Sequence, residues 1–232
     1  MTRSTGNEAV TSEVRVALLD VEMLDDASPW TRHRVPKGSY LARAGPVPTS
    51  LFVVRLGCFR VSMPGGMSGG RVLDFAMRGD WLGTESLAGL PWSSDVVALD
   101  DGEVLALPAK QFEEAAWRAS RLRTSLYRHF AHTMLRDRRH IAQLGVLNAR
   151  QRLALFLLDV SERLAGIDGS GSFVLPMLRA DIGSYLGLAL ESVSRAFSDL
   201  HGQGVIRVRL RVVELRDRQA LRGIALHIPP AR

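Results

Sequence analysis

The chain of 232 residues has a single cysteine, Cys58. One thiol closes no internal disulfide, and it supplies too few thiolates for an iron–sulfur cluster or a structural zinc site. The cytoplasm is the expected compartment. No apolar run approaches the ~18–20 residues of a membrane span, and the N-terminus has no basic-then-apolar export pattern. Lysine is nearly absent: only Lys37 and Lys110 are lysines, and the other basic residues are arginines. Histidine is missing between Arg34 and Pro108. That removes the clustered His and carboxylate ligands a cupin-like metal enzyme needs on its barrel strands. No Ser-His-Asp or Cys-His set stands out. Gly65-Gly-Met-Ser-Gly-Gly70 lacks the lysine and following helix of a phosphate-binding loop. The chain is not expected to be an enzyme.

What is present is a basic, ordinarily hydrophobic sequence. Apolar residues make up 46% of it, and the formal net charge is +6. The length suits two modest domains. Arginine reads phosphate and guanine bidentately, better than lysine does; genome base composition is the other open source of the bias. Position is more telling. Arg207, Arg209, Arg211, Arg216, Arg218 and Arg222 stand against Glu214 and Asp217. Such a basic end is what a phosphate-contacting surface requires.

Four segments follow along the chain. Residues 1–27 read as a tail with one amphipathic helix, Glu13 to Leu24. Residues 28–108 alternate short apolar runs with Gly and Pro punctuation: Leu51–Val54, Cys58–Val61, Val72–Phe75, Val96–Leu99 and Val104–Leu107. That spacing predicts an all-β sandwich or barrel, with Pro64–Gly70 as a hairpin tip. Residues 109–147 have almost no breaker and predict one long helix. Its stripe is Leu122, Leu126, Phe130, Thr133, Asp137, Ile141 and Leu144. A helix of ~25 residues spans ~38 Å. Two readings of the stripe are open: pairing with a second copy, or packing on the β-domain. Residues 148–232 begin with a second amphipathic helix, Asn148 to Leu164. A loop and a short strand at Phe173–Leu175 follow.

Next come two short helices joined at a glycine. Arg179 to Leu186 buries Ile182 and Leu186. Gly187 takes the sharp turn, and Leu188 anchors it. The second helix, Leu190 to Gln203, turns Val193, Phe197 and Leu200 inward. Near its start it presents Glu191, Ser192, Ser194 and Arg195 outward, where a recognition helix meets base edges. Arg195 can donate twice to guanine O6 and N7. Glu191 can accept from cytosine N4 or adenine N6, and Ser194 suits either base type. The plain alternatives are a helix-terminus interaction for Glu191 and, for Arg195, a solvated charge or an i, i+4 pair with Glu191. Val205–Val208 and Val212–Leu215 read as a basic hairpin. Asp217 caps a last helix, Arg218 to Ala225.

Asp181-Ile-Gly-x-Tyr-Leu-Gly187 followed by Glu191-x-x-Ser194-Arg195 resembles the winged helix-turn-helix of the CRP/FNR family. It is nearer the fumarate–nitrate-reductase-regulator branch than the cyclic-AMP-receptor branch. Pro36-Lys-Gly38 and Gly79-Asp80-x-x-Gly83 resemble the β-roll of the same family, so the likeness covers roughly residues 25–225. The resemblance implies an α+β chain: an N-terminal antiparallel β-roll of the cyclic-nucleotide-binding, jelly-roll type, a long dimerisation helix and a C-terminal winged helix-turn-helix. It implies a homodimer on double-stranded DNA with TTGAT-like half-sites in inverted repeat, RNA polymerase as a partner, and no membrane. Glu191, Ser194 and Arg195 become base contacts. Arg179, Ser192, Arg207, Arg209 and Arg211 become backbone contacts.

The family's usual input groups are missing. Counted without gaps from Gly83, the glutamate of the cyclic-nucleotide site is Thr84, and its Arg-Ser pair is Ser94 and Asp95. A shift of one residue brings in Glu85, but no arginine lies between Gly83 and Asp101 in any register. Cyclic AMP is therefore not expected. The cysteine cluster of the oxygen-sensing branch is absent. Cys58 reads as a small core residue or a redox site. Haem is a further family precedent: His129 and His132, three apart on the long helix, read as a ligand pair or a solvated face. No cofactor is otherwise expected. The competing readings are the cupin-like enzyme and a scaffold using its winged domain for protein contacts; basic charge on the wing opposes the second.

Overall fold

The computed structural model describes residues 30–65, 70–118, 120–164 and 171–226. The expected helix Glu13–Leu24 lies outside them, as do most of the Pro64–Gly70 tip and of the 166–171 loop.

Two four-stranded antiparallel sheets form the β-roll. One carries β1 (Thr31–Val35), β8 (Gly102–Pro108), β3 (Ser50–Leu56) and β6 (Trp81–Leu82) in that order. The other carries β2 (Tyr40–Ala42), β7 (Asp95–Ala98), β4 (Phe59–Ser62) and β5 (Val72–Ala76). Strands β3 and β8 are apolar almost throughout because both of their faces are covered. Leu51, Val53, Leu105 and Leu107 pack toward the helices, while Val54 and Val104 pack into the roll. A strand alternates faces residue by residue, so burial on both sides erases the polar alternation. Strands β1, β2 and β6 were not expected from the sequence. In β1 only Val35 is buried, and β6 has two residues. Neither carries a legible pattern.

The helical stretch expected over 109–147 is described as α1 (Ala109–Arg118) and α2 (Ser120–Val146), on either side of residue 119, which lies outside the described residues. Phe112 and Ala116 of α1 enter the same apolar cluster as Leu122 and Leu126 of α2, around Trp81. On a helix at ~100° per residue Phe112, Ala116, Leu122 and Leu126 fall within an arc of about 120°, the width of an ordinary apolar stripe. Arg123 donates to the Ala116 carbonyl at 3.3 Å. Of the stripe, Leu122 and Leu126 are 4% and 3% exposed within their own chain. They are spent on the β-roll.

The C-terminal unit contains α3 (Ala149–Leu164), β9 (Ser172–Val174), α4 (Arg179–Leu186), α5 (Leu190–Gly202), β10 (Ile206–Arg209), β11 (Val212–Leu215) and α6 (Arg218–Leu226). Strands β10, β11 and β9 form an antiparallel sheet in that order. Its core of Leu153, Leu157, Ile182, Leu186, Val193 and Leu200 is continuous with Cys58, Val72, Phe75 and Met77 of the β-roll. Phe75 meets Phe156 at 6.0 Å and Tyr185 at 5.5 Å between ring centroids. The antiparallel roll, the helices and the winged unit are the expected α+β architecture.

Candidate nucleic-acid interface

The pair α4–α5 is held by two glycines and one carboxylate. Gly187 takes φ 64° and closes α4, its N–H donating to the Gly183 carbonyl; that conformation is costly for a residue with a side chain. Gly183 has ordinary dihedrals and a different role. A Cβ there would lie 2.8 Å from the Leu188 carbonyl oxygen and 3.4 Å from Val193. It lets the turn sit directly on α4. Asp181, 7% exposed, accepts from the Leu178 N–H at 3.0 Å and from Arg60 of β4 at 2.8 Å. It therefore caps α4 and ties it to the β-roll. Ser184 Oγ accepts from the Val72 N–H at 2.9 Å, a second tie to the roll. Tyr185 stacks on His140 of α2 at 4.2 Å. Burial pushes its phenol above the ordinary range.

On α5, Val193, Phe197 and Leu200 are buried, and Glu191, Ser194 and Arg195 are exposed, as the spacing implies. Arg195 lies 3.4 Å from Ser192 Oγ. Ser192 is half-buried. The three base-reading candidates thus share one outward face at the first turns of a helix whose inner face is fixed.

The backbone candidates divide. Arg207 and Arg209 are exposed on β10. Arg211 is half-buried and turned back, one guanidinium nitrogen donating to the Pro176 carbonyl, so it stiffens the wing. Arg179 lies over the Phe197 ring, 3.6 Å from its centroid. One of its guanidinium nitrogens is buried without a partner, and burial lowers its pKa.

Sequence reasoning missed the ties between the halves. Beside Arg60–Asp181, Arg163 of α3 donates to the Asp80 carboxylate and, at 2.8 Å, to the Phe75 carbonyl. Arg136 of α2 pairs with Asp74 at 2.5 Å. Burial alone would raise the Asp80 pKa, yet Arg163, Arg136 and the Met77 N–H together hold it below the ordinary carboxylate range. These partners are separated by 62 to 121 positions in the chain. The Gly79-Asp80 motif was visible in the sequence, but its partner was not.

The input candidates sit as follows. Cys58 is fully buried in the shared core, and desolvation pushes its thiol far above the ordinary range. The fold gives it the core position. His129 faces the roll, its Nδ1 3.5 Å from the Trp81 N–H, and burial lowers its pKa. His132 is exposed. Among the described residues no three His, Cys, Asp or Glu side chains gather as a metal site. Where a cyclic nucleotide would need cations, Asp95 accepts from the Ala44 N–H at 2.9 Å and Glu85 from Ser93 Oγ at 3.0 Å. Trp92, 9% exposed, fills the roll. It stacks on Phe52 at 6.4 Å, and a Cβ on Gly83 would come within 3.2 Å of its ring. These residues do not fit a cyclic nucleotide.

Residues 32–117 match the model of the cyclic nucleotide-binding domain, and residues 151–224 match that of the Crp-like helix-turn-helix domain. The transcriptional regulatory protein btr of Bordetella pertussis is 31% identical over 206 residues, 88% of this chain and 85% of that protein. The fumarate and nitrate reduction regulatory protein of Escherichia coli K12 is 28% identical over 194 residues, 83% of this chain and 78% of that one. The solved structure of FixK2 from Bradyrhizobium japonicum superposes with a TM-score of 0.73 at 32% identity, covering 85% of this chain and 98% of that one. None of the described helices is long and apolar enough to cross a membrane. With its β-roll, its winged helix-turn-helix and these relatives, the chain belongs to the CRP/FNR family of DNA-binding transcription regulators, which are not enzymes.

Proposed function

We propose that this regulator works as a cytoplasmic homodimer that reads an inverted repeat of TTGAT-like half-sites, and that it does so without a cyclic nucleotide. The observation that carries the reading is the outward face of α5, where Glu191, Ser194 and Arg195 are exposed together above a buried Val193–Phe197–Leu200 face. Arg195 reads a guanine, Glu191 accepts from a cytosine or adenine amino group, and Ser194 takes the neighbouring base. Arg207 and Arg209 on the wing neutralise phosphates.

The dimer reading has its own support. With Leu122 and Leu126 spent inside the chain, α2 still leaves Tyr127, Phe130, Met134 and Ile141 exposed, at 62%, 38%, 56% and 70%. Their spacing follows the three- and four-residue steps of a helix–helix seam. Thr133 and Leu144 are half-buried, and Leu144 sits close to Gly187 in the turn, next to the reading unit. A two-fold dimer matches a palindrome, its reading helices one DNA turn, ~34 Å, apart. RNA polymerase is the expected downstream partner. A sensing role for the His129/His132 pair or Cys58 has less support, because His129 faces the roll while His132 faces solvent, and Cys58 is sealed in the core.

Native mass spectrometry of the full chain with a duplex carrying the inverted repeat tests the proposal. Two chains per duplex are expected, and one chain per duplex on a single half-site at much weaker affinity. Equal binding of both duplexes, one chain at a time, would reject the dimeric reading.

A further inference from the structure

The tip of the wing is built in a way that a hairpin alone does not explain. Arg209 pairs with Val212, so the turn has two residues, Leu210 and Arg211. Two-residue hairpin turns need a positive φ at their first position and favour glycine, asparagine or aspartate there. Leu210 occupies that position at φ 53°, alone among the described non-glycine residues in having a positive φ. Its side chain is also 96% exposed, the highest value among the described large apolar residues. A branched apolar side chain is thus placed in a strained conformation and covered by nothing in its own chain. Strain of this kind at an exposed tip points outward, to a contact made with something else.

The surroundings identify the occupant. Arg207 and Arg209 lead up to the tip along the exposed face of β10. Val212 and Val174 continue that face across β11 and β9, at 41% and 59% exposure. The tip is not loose. Strand β11 is paired on both edges, Arg211 is bonded to the Pro176 carbonyl, and its own carbonyl accepts from the Leu175 N–H at 2.8 Å. A rigid apolar point with two exposed arginines behind it on β10 suits a polyanion whose interior is apolar. The wing follows directly from the reading helix α5, so the duplex that α5 engages is the polyanion at hand.

We infer that Leu210 is an apolar wedge that enters the minor groove beside each half-site and partly unstacks a base step there. This rests on the DNA-reading role of α5. Arg207 and Arg209, behind it on β10, hold the neighbouring phosphates while the leucine leans on the sugar and base edges. Flexible pyrimidine–purine steps yield to such a wedge more readily than stiff A-tracts. Leu210 therefore adds a preference at positions that Glu191, Ser194 and Arg195 never touch.

The test compares the full wild-type chain with Leu210→Gly, Leu210→Asn and Leu210→Met, using inverted-repeat duplexes that carry 2-aminopurine at the steps on each side of the half-sites. Glycine and asparagine accept the positive φ, so both raise the melting temperature or leave it unchanged. Both are expected to bind DNA roughly tenfold more weakly, the scale of one buried leucine net of the unstacking it drives. They should also abolish the rise in 2-aminopurine fluorescence at one flanking step. Leu210→Met keeps an apolar reach and keeps both signals. Replacing the flanking steps by A-tract should weaken wild type and leave the glycine variant unchanged. If wild type binds the repeat and the glycine and asparagine variants bind equally well, the wedge is wrong and the DNA reading stands. If wild type fails to prefer the repeat over scrambled DNA, the reading beneath the wedge falls with it.

Discussion

Replacing Arg163 by methionine removes the cation that joins the winged unit to the β-roll at Asp80. The guanidinium of Arg163 also donates to the Phe75 carbonyl at 2.8 Å and lies 3.7 Å from Asp159. The side chains of Arg163 and Asp80 are 16% and 19% exposed. Burial would depress the Arg163 pKa, but Asp80, Asp74 and Asp159 outweigh it and raise it. The variant deprives the desolvated carboxylate of Asp80 of its paired cation, leaving it the Met77 N–H, and removes a donor from the Phe75 carbonyl. Breaking one side of a buried pair costs about 3–5 kcal/mol, a large share of the ~5–15 kcal/mol that holds a domain together. Restoring neutrality with Asp80→Asn in the same chain should recover more than half of the loss. The sign with pH follows from Asp80, whose folded pKa is depressed. Its contribution is present above the ordinary carboxylate value of about 3.9 and fades as pH falls through the lower folded value. The difference between wild type and Arg163→Met should be flat near neutrality and shrink in acid. Urea unfolding followed by circular dichroism reads all three. A loss below about 1 kcal/mol, the scale of an exposed pair, or no recovery in the double variant, refutes the buried latch.

Gly183→Ala should cost roughly 1–3 kcal/mol, the range for overpacking, because its Cβ would meet the Leu188 carbonyl at 2.8 Å. A melting temperature equal to wild type would show that the turn can give way. His129 stays neutral in the fold to a lower pH than in the unfolded chain. The unfolded state therefore takes up the proton first, and stability falls as pH drops below about 6.5. His129→Gln should remove that component of the pH–stability curve. If α2 pairs with a second copy as proposed, Ile141→Glu, a charge on its exposed face, should shift sedimentation toward the monomer without lowering the melting temperature of the monomer itself.

The output end of this protein was legible because its constraints are local. Gly187 at a turn, Val193, Phe197 and Leu200 at helical spacing, and Asp217 before the last helix each declare themselves within a few residues. The strands of the roll were legible where apolar runs were long, as at β3 and β8. They were not where an edge strand is exposed, as in β1, or two residues long, as in β6. Gly183 looked like part of a motif; that it is there to let Leu188 approach needs the turn in three dimensions. Arg60–Asp181, Arg136–Asp74 and Arg163–Asp80 join distant segments, and no periodicity announces them. The same holds for Trp92. Its place in the sequence says nothing of filling the roll, yet its burial against Phe52 agrees with the missing arginine between Gly83 and Asp101.

In the proposed reading the face of Glu191, Ser194 and Arg195 reads sequence while the wing arginines Arg207 and Arg209 hold phosphate. Competition binding at two salt concentrations, with the TTGAT inverted repeat against scrambled duplex, tests it most directly. Wild type should favour the repeat by orders of magnitude. Arg195→Ala should lose about 1–3 kcal/mol of that preference while keeping its affinity for scrambled DNA. Arg209→Ala should weaken both duplexes alike and reduce the salt slope by about one. Equal losses on both duplexes for Arg195→Ala, or no preference in wild type, would contradict the account.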